Sequence, residues 1–301
     1  LENEMNSAEK SALQKKSNLI LLLTAIIWGS GFIPQKICAN SMTAFAFNGF
    51  RYLIGSLSVL IITHFRLPEN RRAWRITFLS GTILFLAADL QQFGIRYTTV
   101  GNTGFITTIY VVLVPFMGWL LFRQKITRSA FLAAAIALIG MYLLSTSGKA
   151  LSTISVGDGI VFIGSVFWAI HILVVGKAMG RVDAMQFSAG QFLVCAFWNL
   201  LCWLIFDRGN LSGVRESIPL LLYTGIVVIG GGFTLQAVGQ KHADESQAAI
   251  ILGLEAVFAS FFGILFFRES FSFIQAVGAA LIFISVVISV KGTPNLELPP
   301  I

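Results

Sequence analysis

Apolar runs of about twenty residues, the length that crosses a bilayer's hydrocarbon core as a helix, recur along nearly this whole chain. Ten can be marked out, at 18–37, 43–64, 75–96, 101–122, 127–145, 157–177, 184–206, 217–239, 248–267 and 271–290. Such runs are too long and too continuously apolar for barrel strands. Helices, which satisfy their own backbone hydrogen bonds, are the remaining way to cross lipid. The expected fold class is therefore an all-α membrane protein with ten transmembrane helices. Composition agrees: 56% of residues are hydrophobic and 12% charged, outside the range of soluble domains. The least regular runs are the third, with Asp89, Gln91 and Gln92, and the eighth, with Gly230, Gly231 and Gly232.

Connecting segments are mostly short, so no separate catalytic or receptor domain is expected. The charged leader LENEMNSAEKSALQKK precedes a long first run without a small-residue cleavage site, which reads as a retained helix. With the amino terminus inside, fourteen of the 21 Lys and Arg residues fall in inner segments and six in outer ones, and Arg51 lies within a span. That bias places both termini in the cytoplasm. It also explains the net charge of +7 as topogenic and lipid-facing, so nucleic acid is not an expected partner. The cysteines, Cys38, Cys195 and Cys202, lack disulfide or zinc spacing, and neither a metal nor a cofactor is expected. No G-x-x-x-x-G-K-[ST] motif occurs, so transport would draw on a gradient or exchange.

Sliding the chain by 145 positions lays LQQFG (from Leu90) on LQAVG (from Leu235), and Phe116, Gly118, Leu120, Phe122 and Arg123 on Phe261, Gly263, Leu265, Phe267 and Arg268. The halves read as repeats of five helices, 18–146 and 157–290, between a cytoplasmic segment 1–17 and a tail 291–301. An odd number of spans inserts the second copy upside down, giving an inverted repeat, the architecture of alternating access.

The run LQQFGIRYTTVGNTGFITTIYVVLVPFMGWLLFRQKIT resembles the first half of EamA-type members of the drug/metabolite transporter superfamily. AIIWGSGFIPQK near Trp28 is similar to that family's first helix, and LGLEAVFASFFGILFFRES around Glu255 to its second repeat. Two departures stand out: Ala256 replaces a usual proline, and Gln124 with Lys125 replaces a common acid. The resemblance implies a ten-helix carrier for small metabolites, often an exporter, in a bacterial inner membrane.

Candidate site residues are the polar ones at membrane depth. A charged acid at a helix centre costs about 2.5 to 3.5 kcal/mol. Glu255 must therefore face a water-filled cavity, meet a cation or carry a proton, all of which put it inside the bundle; it is the candidate for proton coupling. Arg51 and Asp89 lie at similar depth, about 10 to 12 Å from the outer end at 1.5 Å per residue. Either they neutralise each other or one of them selects substrate charge. Thr82, Asp89, Gln92 and Arg96 form one stripe, Thr24, Trp28, Gly31 and Gln35 another, and Thr103, Thr107 and Tyr110 a third. The repeat alignment sets Tyr110 opposite Glu255. Trp168 and His171 sit at i, i+3, and Gln236 follows the glycine run. Aromatic rings with a few hydrogen-bonding groups suit a small-molecule pocket, although a lone histidine such as His171 is more often packed than a switch.

The leading expectation is a secondary active transporter of small polar or amphipathic metabolites, an exporter of amino acids or related compounds. Its partners are that substrate, the bilayer and a proton or counter-substrate, as monomer or homodimer. A channel or facilitator is the alternative. An intramembrane enzyme is the weaker one, because no nucleophile–base pair or metal cluster stands at membrane depth.

Overall fold

The computed structural model describes residues 7–98, 100–146, 155–267 and 272–292. Residues 1–6, the 293–301 part of the tail, Lys149 and Arg268 lie outside them. Among the described residues every regular element is helical. Within these described residues nine spans are long and apolar enough to cross a membrane, and a tenth apolar helix, Arg128–Leu144, is slightly shorter.

The first helix, α1 (Ser7–Ala39), starts well before the expected 18 and takes in much of the charged leader. Its early residues are polar but lack the glycine or proline that would stop a helix. Next come α2 (Ala44–Ile62) and α3 (Arg71–Tyr97), capped by the side chains of Thr43 and Asn70, which accept the N–H groups of Ala46 and Ala73. The third run is thus one continuous helix despite its polar residues. At its far end the Lys36 ammonium donates to the Ile95 and Thr98 carbonyls at 2.7 and 2.8 Å, meeting acceptors that the end of α3 leaves free.

The fourth run is not continuous. It divides into α4 (Val100–Thr107) and α5 (Tyr110–Phe122). The Thr108 hydroxyl donates to the carbonyls of Gly104 and Phe105, and the Ile109 N–H bonds Ile106, three residues back instead of four. The ninth run divides in the same way into α11 (Glu245–Leu252) and α12 (Glu255–Phe267), with the Leu254 N–H on Ile251. The missing proline at Ala256 therefore does not keep this span straight, because the three-residue bonds of Leu254 to Ile251, Ala256 to Gly253 and Val257 to Leu254 tighten the turn without it.

The remaining elements are α6 (Arg128–Thr146), α7 (Val156–Ala178), α8 (Ala184–Phe206) and α13 (Phe273–Gly292). The eighth run starts as α9 (Ile218–Leu222), widens into a π-helix (Tyr223–Phe233) and ends as α10 (Thr234–Gln240). Long π-helical stretches are rare and often occur at functional sites. Here the glycine-rich stretch lets α2 come close: a Cβ on Gly225 would lie 3.0 Å from the Arg51 carbonyl oxygen.

The packing pairs α2 with α8, α6 with α13, α3 with α7 and α8, and α1 with α10 and α12. Three element starts recur 145 residues apart, namely Val100 and Glu245, Tyr110 and Glu255, and Arg128 and Phe273. Where α6 crosses α13, a Cβ on Gly140 would sit 2.7 Å from the Gly278 carbonyl oxygen, backbone that cannot swing aside. Gly140→Val is therefore expected to force the helices apart, costing about 1 to 3 kcal/mol and lowering the apparent melting temperature by roughly 5 °C. A fluorescence melting curve of the purified protein checks this, and an unchanged curve would mean the two helices are not held in close contact.

Candidate functional site

The bundle centre holds a chamber walled by α1, α2, α3, α4, α5, α7, the π-helix and α12. Its lining side chains are Trp28, Phe32, Gln35, Arg51, Tyr52, Gln91, Thr107, Tyr110, Trp168, Ile172, Val228, Phe233 and Glu255. The cavity between them is only about 30 Å³, within about 450 Å³ of space that partly opens outward. That is room for one or two waters. The chamber is narrow as it stands.

One wall is acidic. The Tyr110 hydroxyl donates to Oε1 of Glu255 at 3.0 Å, and Glu255 is 4% exposed. The two residues open α5 and α12, directly after the tightened turns, so the local irregularity of each span aims a polar side chain at the chamber. Beside them the Gln91 amide donates to the Thr107 hydroxyl at 3.0 Å.

The opposite wall carries Arg51, 2% exposed. Its guanidinium lies 4.8 Å from the centroid of the Phe47 ring and 5.2 Å from that of Tyr52, within cation–π range. Its Nε donates to Asn48 Oδ1 at 2.9 Å, and Asn48 Nδ2 donates to Asp89 Oδ1 at 2.9 Å. Among the described residues Arg51 and Asp89 form no direct ion pair. Asn48, which sequence reasoning passed over, bridges them: Arg51 reaches the chamber while Asp89 stays behind it.

The third wall is aromatic. Phe233 stacks on Trp168 with ring centroids 5.8 Å apart and an interplanar angle of 24°, and it meets Trp28 at 4.5 Å. Both indole N–H groups, the Tyr52 hydroxyl and Oε1 of Gln35 are buried and, among the described residues, have no hydrogen-bond partner. Buried polar groups normally have partners, so two indole donors, a phenol hydroxyl and an amide acceptor left open at a chamber wall are what a ligand would satisfy.

Of the residues singled out from the sequence, Trp28, Arg51, Thr107, Tyr110, Trp168 and Glu255 converge on this chamber, and Asp89, Gln92, His171 and Gln236 do not line it. Gln92 donates to the Gln35 carbonyl at 3.1 Å. The chamber takes its neighbour Gln91, one position further round α3. His171 is fully buried with Nε2 3.0 Å from Oε1 of Gln191, behind Trp168. Gln236 donates to Gln240, and Gln240 to the Ile172 carbonyl, both at 2.9 Å. On the other stripes, Thr24 bonds the Ile20 carbonyl of its own helix, and Thr82 accepts the Trp198 indole N–H. Tyr52, Phe233, Phe32, Ile172 and Val228 were missed, being apolar or aromatic among many such residues.

Membrane-length helices closed around a small chamber of aromatic and polar side chains define a multi-pass membrane protein. The chain belongs to the EamA-like transporter family, whose model matches residues 15–146 and 155–291. It is 31% identical to an uncharacterized transporter of Archaeoglobus fulgidus over 90% of this chain and 85% of that protein. It is 24% identical to the uncharacterized transporter YwfM of Bacillus subtilis over 90% and 92%. A solved crystal structure shares the fold with a TM-score of 0.75 at 18% identity, covering 91% of this chain and 96% of that one.

Proposed function

We propose that this transporter is a secondary carrier working by alternating access, in which two oppositely inserted halves, 18–146 and 157–290, rock about the chamber so that it faces each side of the membrane in turn. The observation that carries this reading is the Tyr110–Glu255 contact. Residues 145 apart, each opening the second part of a broken span, meet at the chamber wall. That is expected where a pseudo-twofold axis passes between equivalent positions. The packing supports the same axis: α2 lies on its counterpart α8 and α6 on α13, while α3 on α7 is matched by α10 on α1, and α5 on α7 by α12 on α1. The narrowness of the chamber supports a carrier over an open channel, since a metabolite fits only if the walls move.

The proposed substrate is a small amino acid or related zwitterion, moved outward across the bacterial inner membrane by a protein with both termini in the cytoplasm. An amino acid offers acceptors at its carboxylate, which suit Arg51 and the Trp28 and Trp168 N–H groups. It offers donors at its ammonium, which suit Glu255 and Oε1 of Gln35. The aromatic wall would hold its apolar part. Counterflow of labelled amino acids in proteoliposomes, with nucleosides and cationic drugs as competitors, tests this. Saturable, trans-stimulated flux is expected; flux that rises linearly with concentration would contradict a carrier.

Tyr110→Phe deletes one hydrogen bond to a buried acid, worth about 1.5 to 3 kcal/mol when the acceptor is charged. Counterflow is expected to slow by about tenfold while the protein stays folded. An unaltered initial rate would show that the contact does not matter to transport.

A further inference from the structure

A second pocket lies at the end of the bundle that the Lys and Arg pattern assigns to the cytoplasm, between α5, α6, α11 and α13. It encloses about 910 Å³, part of it open to solvent, and its polar lining comes from Gln124, Lys125, Thr127, Asp244, Ser246 and Gln247, among others. It is distinct from the central chamber. Along α5 and α11 the buried Val111, Val114, Ile250 and Ile251 lie between the two.

Three features point to an anionic ligand. Lys125 is exposed and, among the described residues, makes no ion pair. The nineteen-residue α6 begins here, with Ser129 and Ala130 in the lining and Thr127 accepting the Ala130 N–H at 3.1 Å, so the positive end of its dipole lies at the pocket. Independently, Gln247 is 1% exposed and lines the pocket, its Oε1 accepting from Gln14 at 3.2 Å while its Nε2 donor has no partner among the described residues. A buried amide N–H without an acceptor costs about 1 to 3 kcal/mol, which a ligand oxygen would offset. The one carboxylate in the lining, Asp244, caps α11, its Oδ1 accepting the N–H groups of Ser246 and Gln247 at 2.9 and 3.2 Å. An ammonium, hydroxyl-bearing residues, an amide N–H and a helix start together match the oxygens of a phosphate.

We propose that this pocket binds a phosphate ester, presented either by a phospholipid headgroup of the adjoining leaflet or by a soluble phosphorylated compound. Gln124 and Lys125 give the mouth of this pocket an amide and an ammonium.

The test uses full-length, delipidated protein in detergent. Native mass spectrometry measures retention of phosphatidylglycerol against diacylglycerol, and melting curves are recorded with glycerol 3-phosphate against glycerol. Preferential retention of phosphatidylglycerol assigns the site to lipid, and stabilisation by glycerol 3-phosphate alone assigns it to a soluble compound. In either case Lys125→Gln, at an exposed position that leaves the unliganded melting curve in place, is expected to weaken binding by about tenfold. Gln247→Leu, which keeps an apolar stem and removes the donor, should act in the same direction. The proposal is overturned if neither phosphate-bearing probe binds better than its neutral counterpart, or if Lys125→Gln binds as tightly as the parent.

Discussion

Glu255→Gln is expected to abolish gradient-driven accumulation of substrate in proteoliposomes while leaving exchange in place. Glutamine has nearly the same shape and keeps an oxygen to accept the Tyr110 hydroxyl, which lies 3.0 Å from Oε1 in the parent. What it cannot do is take up and release a proton. If the protons that drive transport ride on this carboxyl, accumulation under an imposed pH gradient should fall by about tenfold or more. Counterflow, which needs only binding and rocking, should persist, because the amide oxygen can still accept from the Tyr110 hydroxyl and from the substrate's ammonium. Undiminished accumulation would remove Glu255 from the coupling step and leave it as a binding or clamping group. A loss of both activities with an intact melting curve would assign it to substrate binding instead.

The second large effect is expected at Asn48. Asn48→Leu would leave Arg51 Nε and Asp89 Oδ1 without the bridge that now serves both at 2.9 Å, inside a bundle where the two residues are 2% and 5% exposed. Removing the partner of a buried charge costs about 3 to 5 kcal/mol. That is a large share of the net stability of a folded protein. The variant should yield little monodisperse protein and melt well below the parent. A melting temperature within the error of the parent would show that the two charged residues are stabilised by other groups.

The spans were legible because bilayer thickness imposes a run length that few other structures need, and only helices satisfy a backbone in lipid. Glu255 was legible because an acid in that setting is costly, and the 145-residue shift named Tyr110 as its counterpart. The Asn48 bridge was not. A short amide on α2 looks like any other polar residue until packing brings Asp89, 41 positions away, within 2.9 Å of it. The side chain that α3 gives to the chamber was misread by one position, Gln92 for Gln91. That is about 100° around a helix, and α3 buries residues over much of its circumference. The tightened turns at Ile109 and Leu254 were equally hidden. Both spans contain glycines and a run of apolar residues that would suit an unbroken helix, and it is the Thr108 hydroxyl, bonded to two carbonyls, that visibly competes with the ladder. The π-helix Tyr223–Phe233 contains the glycine run Gly230, Gly231 and Gly232, which signals irregularity in the sequence but not its kind.

Accessibility of the chamber from the two sides of the membrane tests the rocking picture most directly. Cys38, Cys195 and Cys202 are free thiols and would first be replaced; a single cysteine is then placed at Phe32, in the chamber wall. A membrane-impermeant thiol reagent is applied to the outside of cells and, separately, to inverted vesicles. The account predicts that this one position is labelled from both sides, and that substrate protects it from each. Labelling from one side only, unaffected by substrate, would contradict it.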